Sequence, residues 1–251
     1  MRKPFIAGNW KMNTDVKTAT SLASGLADEL ADIDTVDVAV CPPFVYLRAV
    51  SQTLADSAIT VGAQDMYFES NGAFTGEISC SMLKDVGCTY VIIGHSERRH
   101  VIGETDELIN KKVTAAIKAG LLPILCVGEL LEERQSGKTT DIVTTHVKKG
   151  LAGITAEQMK SVTIAYEPVW AIGTGVNATA DQAQEVHVMI RGLLAKMYSP
   201  EVAQAARIQY GGSAKPANTA ELMANPDVDG LLVGGASLKV QDFAAMVKTV
   251  A

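Results

Sequence analysis

Four side chains of this 251-residue sequence stand where residue type and position together allow chemistry: Asn9, Lys11, His95 and Glu167. Each lies at or just past the end of a short apolar run. Glu167 closes the run Val162–Glu167, and a carboxylate buried there has its pKa raised, which marks it for acid–base work. His95 is the one histidine at such a run's end; His100, His146 and His187 read as surface or capping residues. Cys126 ends another run but has no histidine beside it in the chain, so it reads as a packed core residue, not a nucleophile. Glycine turns complete the set. Gly211-Gly212-Ser213 and Gly234-Gly235 follow consecutive runs, and Gly173-Thr174-Gly175 follows the run that ends in Glu167. Glycine lets main-chain N–H groups approach and face an anion. Two glycine pairs at matching positions, one followed by Ser213, point to a phosphate.

The elements that must position these residues are legible as eight Val- and Ile-rich runs: Phe5–Asn9, Asp37–Cys41, Ile59–Ala63, Thr89–Gly94, Leu122–Val127, Val162–Glu167, Arg207–Tyr210 and Gly230–Val233. They recur about every 31 residues, the length of a strand, a helix and two loops. Near-continuous hydrophobicity is what parallel strands covered on both faces require. Between them lie amphipathic segments, one with Leu108, Ile109, Val113, Ala116 and Ile117 on a single face, another with Val186, Ile190, Leu193, Leu194 and Met197. Gly120 stops one helix, and Pro200 follows another. No Pro/Ser-rich linker interrupts the units, so the reading is one domain over residues 1–251. Eight strand–helix units fit a closed (βα)₈ barrel or an open doubly wound sheet. Even spacing, and the lack of a GxGxxG turn after the first run, favour closure. In either architecture ligands meet the carboxyl ends of the strands, where the candidate residues collect.

Composition narrows the function classes. With 22 Lys and Arg against 28 Asp and Glu, the net charge of −6 argues against nucleic acid as a partner. No apolar run approaches membrane-spanning length, and the opening apolar stretch is too short for a signal core, so no membrane partner and a cytoplasmic location are expected. Four cysteines without CxxC spacing, and scattered histidines, predict neither a disulfide framework nor a metal cage.

The runs Asn9-Trp10-Lys11-Met12-Asn13, Ile92-Ile93-Gly94-His95-Ser96-Glu97-Arg98-Arg99, Ala165-Tyr166-Glu167-Pro168-Val169-Trp170-Ala171-Ile172-Gly173-Thr174-Gly175, Tyr210-Gly211-Gly212-Ser213 and Val233-Gly234-Gly235-Ala236 together resemble the triosephosphate isomerase family, in order and from end to end of the chain. The resemblance implies a (βα)₈ barrel with no cofactor or metal, and interconversion of dihydroxyacetone phosphate and D-glyceraldehyde 3-phosphate. It also implies Glu167 as base and His95 as electrophile, Asn9 and Lys11 on the substrate, and Gly173, Ser213, Gly234 and Gly235 on its phosphate. The pairing of a Glu base with a neutral His is carried over from this family, not read from the spacing. Removing a proton beside a carbonyl leaves an enediolate, so donors such as Lys11 and His95 must already face the oxygen where charge develops.

By the same likeness Pro168, Val169, Trp170, Ala171, Ile172, Gly173, Thr174, Gly175, Val176, Asn177 and Ala178 form a lid that excludes water. The long stretch Gln64–Glu77 holds Tyr67, Phe68 and Phe74, which suits a partner surface better than an ordinary loop. The resemblance places Phe74, Thr75, Gly76, Glu77 and Arg98 at a homodimer interface. Two departures stand out: Val176 where the family commonly has Lys, and Ala214 where Val is usual. A lyase or other sugar-phosphate isomerase sharing only the phosphate cradle is one alternative, and a non-catalytic scaffold on the same barrel is another. The combination of Lys11, His95 and Glu167 argues against both.

Overall fold

Eight parallel strands run once around a closed barrel in chain order: β1 (Phe5–Asn9), β2 (Asp37–Cys41), β3 (Thr60–Ala63), β4 (Cys88–Ile93), β5 (Leu122–Val127), β6 (Thr163–Tyr166), β7 (Arg207–Tyr210) and β8 (Gly230–Val233), with β8 pairing back onto β1. The computed structural model describes residues 2–172 and 178–251. Coverage of both faces, by the barrel interior and by the helices, explains why most runs are apolar along their length; the buried Gln209 of β7 is an exception. Alternation persists in a different form. Phe5 and Ala7 face a core made only of strand residues, together with Ala39, Cys41, Tyr90, Ile92, Ile124, Cys126, Ala165 and Leu232. Ile6, Val40, Ile93 and Ile164 face a second core shared with the surrounding helices. The inner core is filled by side chains, with Phe5 stacked on Tyr90 at 4.6 Å between ring centroids, so the barrel is solid and has no pore.

Period-two alternation also decides what reaches the top of the barrel. Two residues beyond inward-facing Ala7, Ala165 and Leu232 come Asn9, Glu167 and Gly234. The strand ends differ from the sequence reading by one residue at β3, β4 and β6. Gly94 has already left β4 with φ +71°, a turn that aims the following chain over the barrel mouth.

The helix Asp106–Ala119 is capped by Thr105, whose hydroxyl accepts from the Leu108 amide; its stop at Gly120, with φ +77°, is the one the sequence predicts. Ile109, Val113 and Ala116 are buried on its inner face; Leu108 and Ile117 are only partly covered. Pro200 opens a further short helix, Pro200–Ala205, capped by Ser199. His187 departs from the surface position expected of it. His187 is fully buried, with Nδ1 at 3.0 Å from the Asp227 carbonyl and its ring edge-on to Tyr166. It sits four residues after Ala183 and beside Val186, both on the buried face of Ala180–Met197, so helical geometry carries it inward despite its polarity. His146 is half-buried and accepts from the Gly128 amide at 3.4 Å, whereas His100 is exposed. Among the described residues no helix is long and apolar enough to cross a membrane.

Candidate active site

A cavity of about 410 Å³ opens at the carboxyl ends of the strands and is lined by Asn9, Lys11, His95, Glu167, Ser213, Gly234 and Gly235. Residues as far apart in sequence as Asn9 and Gly235 meet there because each ends or follows a strand of one closed barrel. Lys11 takes up φ +52°, a region non-glycine residues enter at a cost of order 1–3 kcal/mol. Two side chains hold it: its amide donates to Asn9 Oδ1 at 3.0 Å, and Gln64 Nε2 donates to its carbonyl at 2.8 Å. The Lys11 ammonium donates to Glu97 Oε1 at 2.6 Å. A Cβ placed on Gly234 would lie 3.6 Å from Lys11 Cε, so the glycine turn and the lysine share one wall.

Glu167 is held from three sides. Its amide donates to the Val127 carbonyl at 2.7 Å. Its carboxylate accepts from the Ser96 amide at 2.9 Å and lies 3.0 Å from His95 Nε2. Two glycines make room for it. A Cβ on Gly128 would fall 1.7 Å from the Glu167 carbonyl oxygen, and one on Gly211 would fall 2.8 Å from Glu167 Cγ. His95 precedes a short π-helical segment, Arg98–Ile102, and the Glu97 amide donates to its Nδ1 at 3.2 Å. With that lone pair engaged, the imidazole proton resides on Nε2, facing Glu167 and the cavity.

These contacts change the electrostatics expected from burial alone. Desolvation does push the Glu167 carboxyl upward, but His95, the Ser96 amide and Lys11 outweigh it, and its pKa lies below the ordinary value. For His95 burial works against the charged ring, while Glu167 and then Glu97 pull the other way, leaving its pKa above the ordinary value. One contact thus moves both groups in opposite directions. The raised pKa expected for Glu167 from burial is therefore reversed by its partners. Cys126 is buried in the inner core and its thiol is pushed far up, first by desolvation and then by Glu167, in keeping with a packing role.

Beyond Glu167, Pro168 leads into a 3₁₀ turn, Val169–Ala171, and Ile172 lines the cavity. Trp170 Nε1 donates to Glu129 Oε1 at 3.0 Å, the Val169 amide donates to the Glu129 carbonyl at 3.1 Å, and Arg134 stacks over the Trp170 ring at 5.0 Å. Ala178 is buried on the far side. Gly173, Thr174, Gly175, Val176 and Asn177 lie outside the described residues. Phe74, Thr75, Gly76 and Glu77 do not reach the cavity; they are exposed on the Gln64–Glu77 loop, and Arg98 turns away to bond Asp65 and Glu104. Ser96, Glu97, Gln64 and Glu129 carry contacts in or around the site that went unassigned in the sequence. Ser96 and Glu97 adjoin His95 within a recognisable motif, but Gln64 acts through a bond to a residue 53 positions away, which no local pattern signals.

The same residues place the chain among known proteins. The profile of the triosephosphate isomerase family matches residues 4–250. A protein of Carboxydothermus hydrogenoformans named triosephosphate isomerase is 60% identical over 248 residues, 99% of each chain. Proteins of the same name from Chloroherpeton thalassium, 54% identical over 250 residues and 99% of each chain, and from Rhodopirellula baltica, 50% identical over 247 residues and 98% and 97% of the two chains, agree with it. A barrel with a base, an imidazole and an ammonium gathered beside glycine turns, matched from end to end by these relatives, belongs to the triosephosphate isomerase family.

Proposed function

We propose that this chain interconverts dihydroxyacetone phosphate and D-glyceraldehyde 3-phosphate by proton transfer through an enediolate. The observation that carries the reading is the 3.0 Å contact between Glu167 and His95 Nε2 in the cavity that also holds Lys11, Ser213 and Gly234-Gly235. Glu167, ionised and poised on His95, turns to the substrate carbon next to the carbonyl, removes its proton and returns it to the neighbouring carbon. As the proton leaves, charge grows on the substrate oxygens. The Nε2–H of His95 and the Lys11 ammonium face those oxygens, each such donor being worth on the order of 10²–10³ in rate. Asn9 holds the Lys11 turn and offers its amide to the substrate. Main-chain groups of Ser213, Gly234, Gly235 and Gly173 take the phosphate. Once Glu167 leaves His95 to meet substrate, the stabilisation that lowered its pKa is lost, and the base strengthens where it is needed. The Pro168–Ala178 lid excludes water from the enediolate.

A homodimer belongs to the same reading. Tyr67, Phe68 and Phe74 form a ring cluster, with Tyr67 at 4.6 Å from Phe68 and 5.0 Å from Phe74, and Phe74 and Thr75 remain exposed at its edge. A stiffened loop with an uncovered aromatic suits insertion into a second copy of the chain. For the reaction itself, Glu167→Gln is expected to lower turnover in a coupled isomerase assay by at least roughly 10²-fold with the fold retained. Turnover near that of the unaltered chain would exclude Glu167 as the base.

A further inference from the structure

We infer that Arg99, a residue that does not line the 410 Å³ cavity, is a positioning residue that sets the gap between His95 and Glu167. This rests on the isomerase reading above. The hydrogen-bonded ladder between β4 and β5 ends at Ile93 opposite Leu125. Past that point the two strands need another tie, and the Arg99 guanidinium supplies it. Its Nε donates to the Gly94 carbonyl at 2.8 Å, and Nη2, on the same edge, donates to the Cys126 carbonyl at 3.0 Å. Those are the first carbonyls beyond the last paired residues of the two strands. The remaining nitrogen, Nη1, donates to Asp106 Oδ1 at 2.7 Å in the first turn of helix Asp106–Ala119, which fixes the plane of the fork. The group is buried, and the Arg99 amide also bonds back to the His95 carbonyl at 3.0 Å.

β4 leads directly into His95, and β5 supports Glu167, which follows the neighbouring strand β6. Gly94 is the residue before His95. Cys126 is followed by Val127, whose carbonyl accepts the Glu167 amide, and by Gly128, packed against the Glu167 main chain. The guanidinium therefore spans the two walls on which the 3.0 Å contact is built. Its packing is tight: a Cβ on Gly94 would lie 3.2 Å from Nη2 and 3.0 Å from Ile109 Cδ1. The phosphate turns follow β7 and β8, which Arg99 does not touch. Loosening the clamp thus acts on the reacting groups and leaves the phosphate site in place. A lysine offers a point charge without a two-pronged edge and does not substitute.

The test is steady-state kinetics of Arg99→Met and Arg99→Lys beside the unaltered chain, with thermal unfolding and inhibition by inorganic phosphate measured on the same samples. Activity of the unaltered chain decides the isomerase reading separately. Given that activity, kcat is expected to fall on the order of 10- to 100-fold in both variants, the scale of an ångström-sized misplacement, while KM and phosphate inhibition stay within about threefold. Arg99→Lys keeps charge and length should Arg99→Met fail to fold. Unchanged kcat in either folded variant, restoration of kcat by lysine, or kcat and KM worsening together would overturn the inference.

Discussion

At the scale of single residues, the site turns on how closely main chain approaches the Glu167 side chain. Gly211 leaves no space for a methyl group, since a Cβ there would stand 2.8 Å from Glu167 Cγ. Gly211→Ala is therefore expected to displace the carboxylate and lower kcat by on the order of tenfold or more, with little change in unfolding temperature. A kcat equal to that of the unaltered chain would show that the base has freedom the packing denies it. The same scale shows where sequence reading stops. Asn9, Lys11, His95 and Glu167 announce themselves by following apolar strands, and the structure collects all four in one cavity. The pKa of Glu167 was not legible, because its direction depends on His95, 72 positions away, and on the Ser96 amide. Burial can be anticipated from a run of apolar residues; the partner that answers it depends on how distant strands register.

Among elements, the strands were the most legible part of the chain. Parallel strands sealed between an inner and an outer core are largely apolar, and β1, β2, β5, β7 and β8 coincide with the runs read from sequence. Helix faces were less legible wherever a polar residue points inward. Lys112 is buried on Asp106–Ala119, its ammonium answered by Asp65 and Glu104, and no local pattern names a carboxylate 47 positions away as its partner. His187 is the same kind of case, with a consequence for stability. Desolvation pushes its pKa down to about 4, whereas the unfolded chain protonates it near the ordinary value of 6.5. The unfolded state then binds more protons between those values. The stabilising contribution is whole above about pH 6.5, declines as pH falls, and is lost below about 4, amounting to about 3 kcal/mol. Urea unfolding midpoints measured from pH 7.5 to 4.5 are expected to fall, and to fall less steeply in His187→Gln. Identical slopes for the two proteins would remove His187 from the acid response.

For the molecule as a whole, the closed barrel makes one end chemical and leaves the Gln64–Glu77 loop projecting with aromatic surface exposed. If that loop inserts into a second copy, Thr75→Arg should move the sedimentation coefficient toward that of a monomer; an unaltered dimer with full activity would place the interface elsewhere. Atoms brought together from five strand ends move a proton, not a hydride, between adjacent carbons of a triose phosphate. The direct measurement is isomerisation in deuterium oxide with the product followed by NMR. Passage of the proton through the Glu167 carboxylate, which exchanges with solvent, is expected to leave deuterium on the carbon that receives it. Because the carboxylate can return some of the original hydrogen before it exchanges, partial labelling fits the account; complete absence of deuterium from product formed at full rate would point to hydride transfer and contradict the assignment of Glu167 as the base.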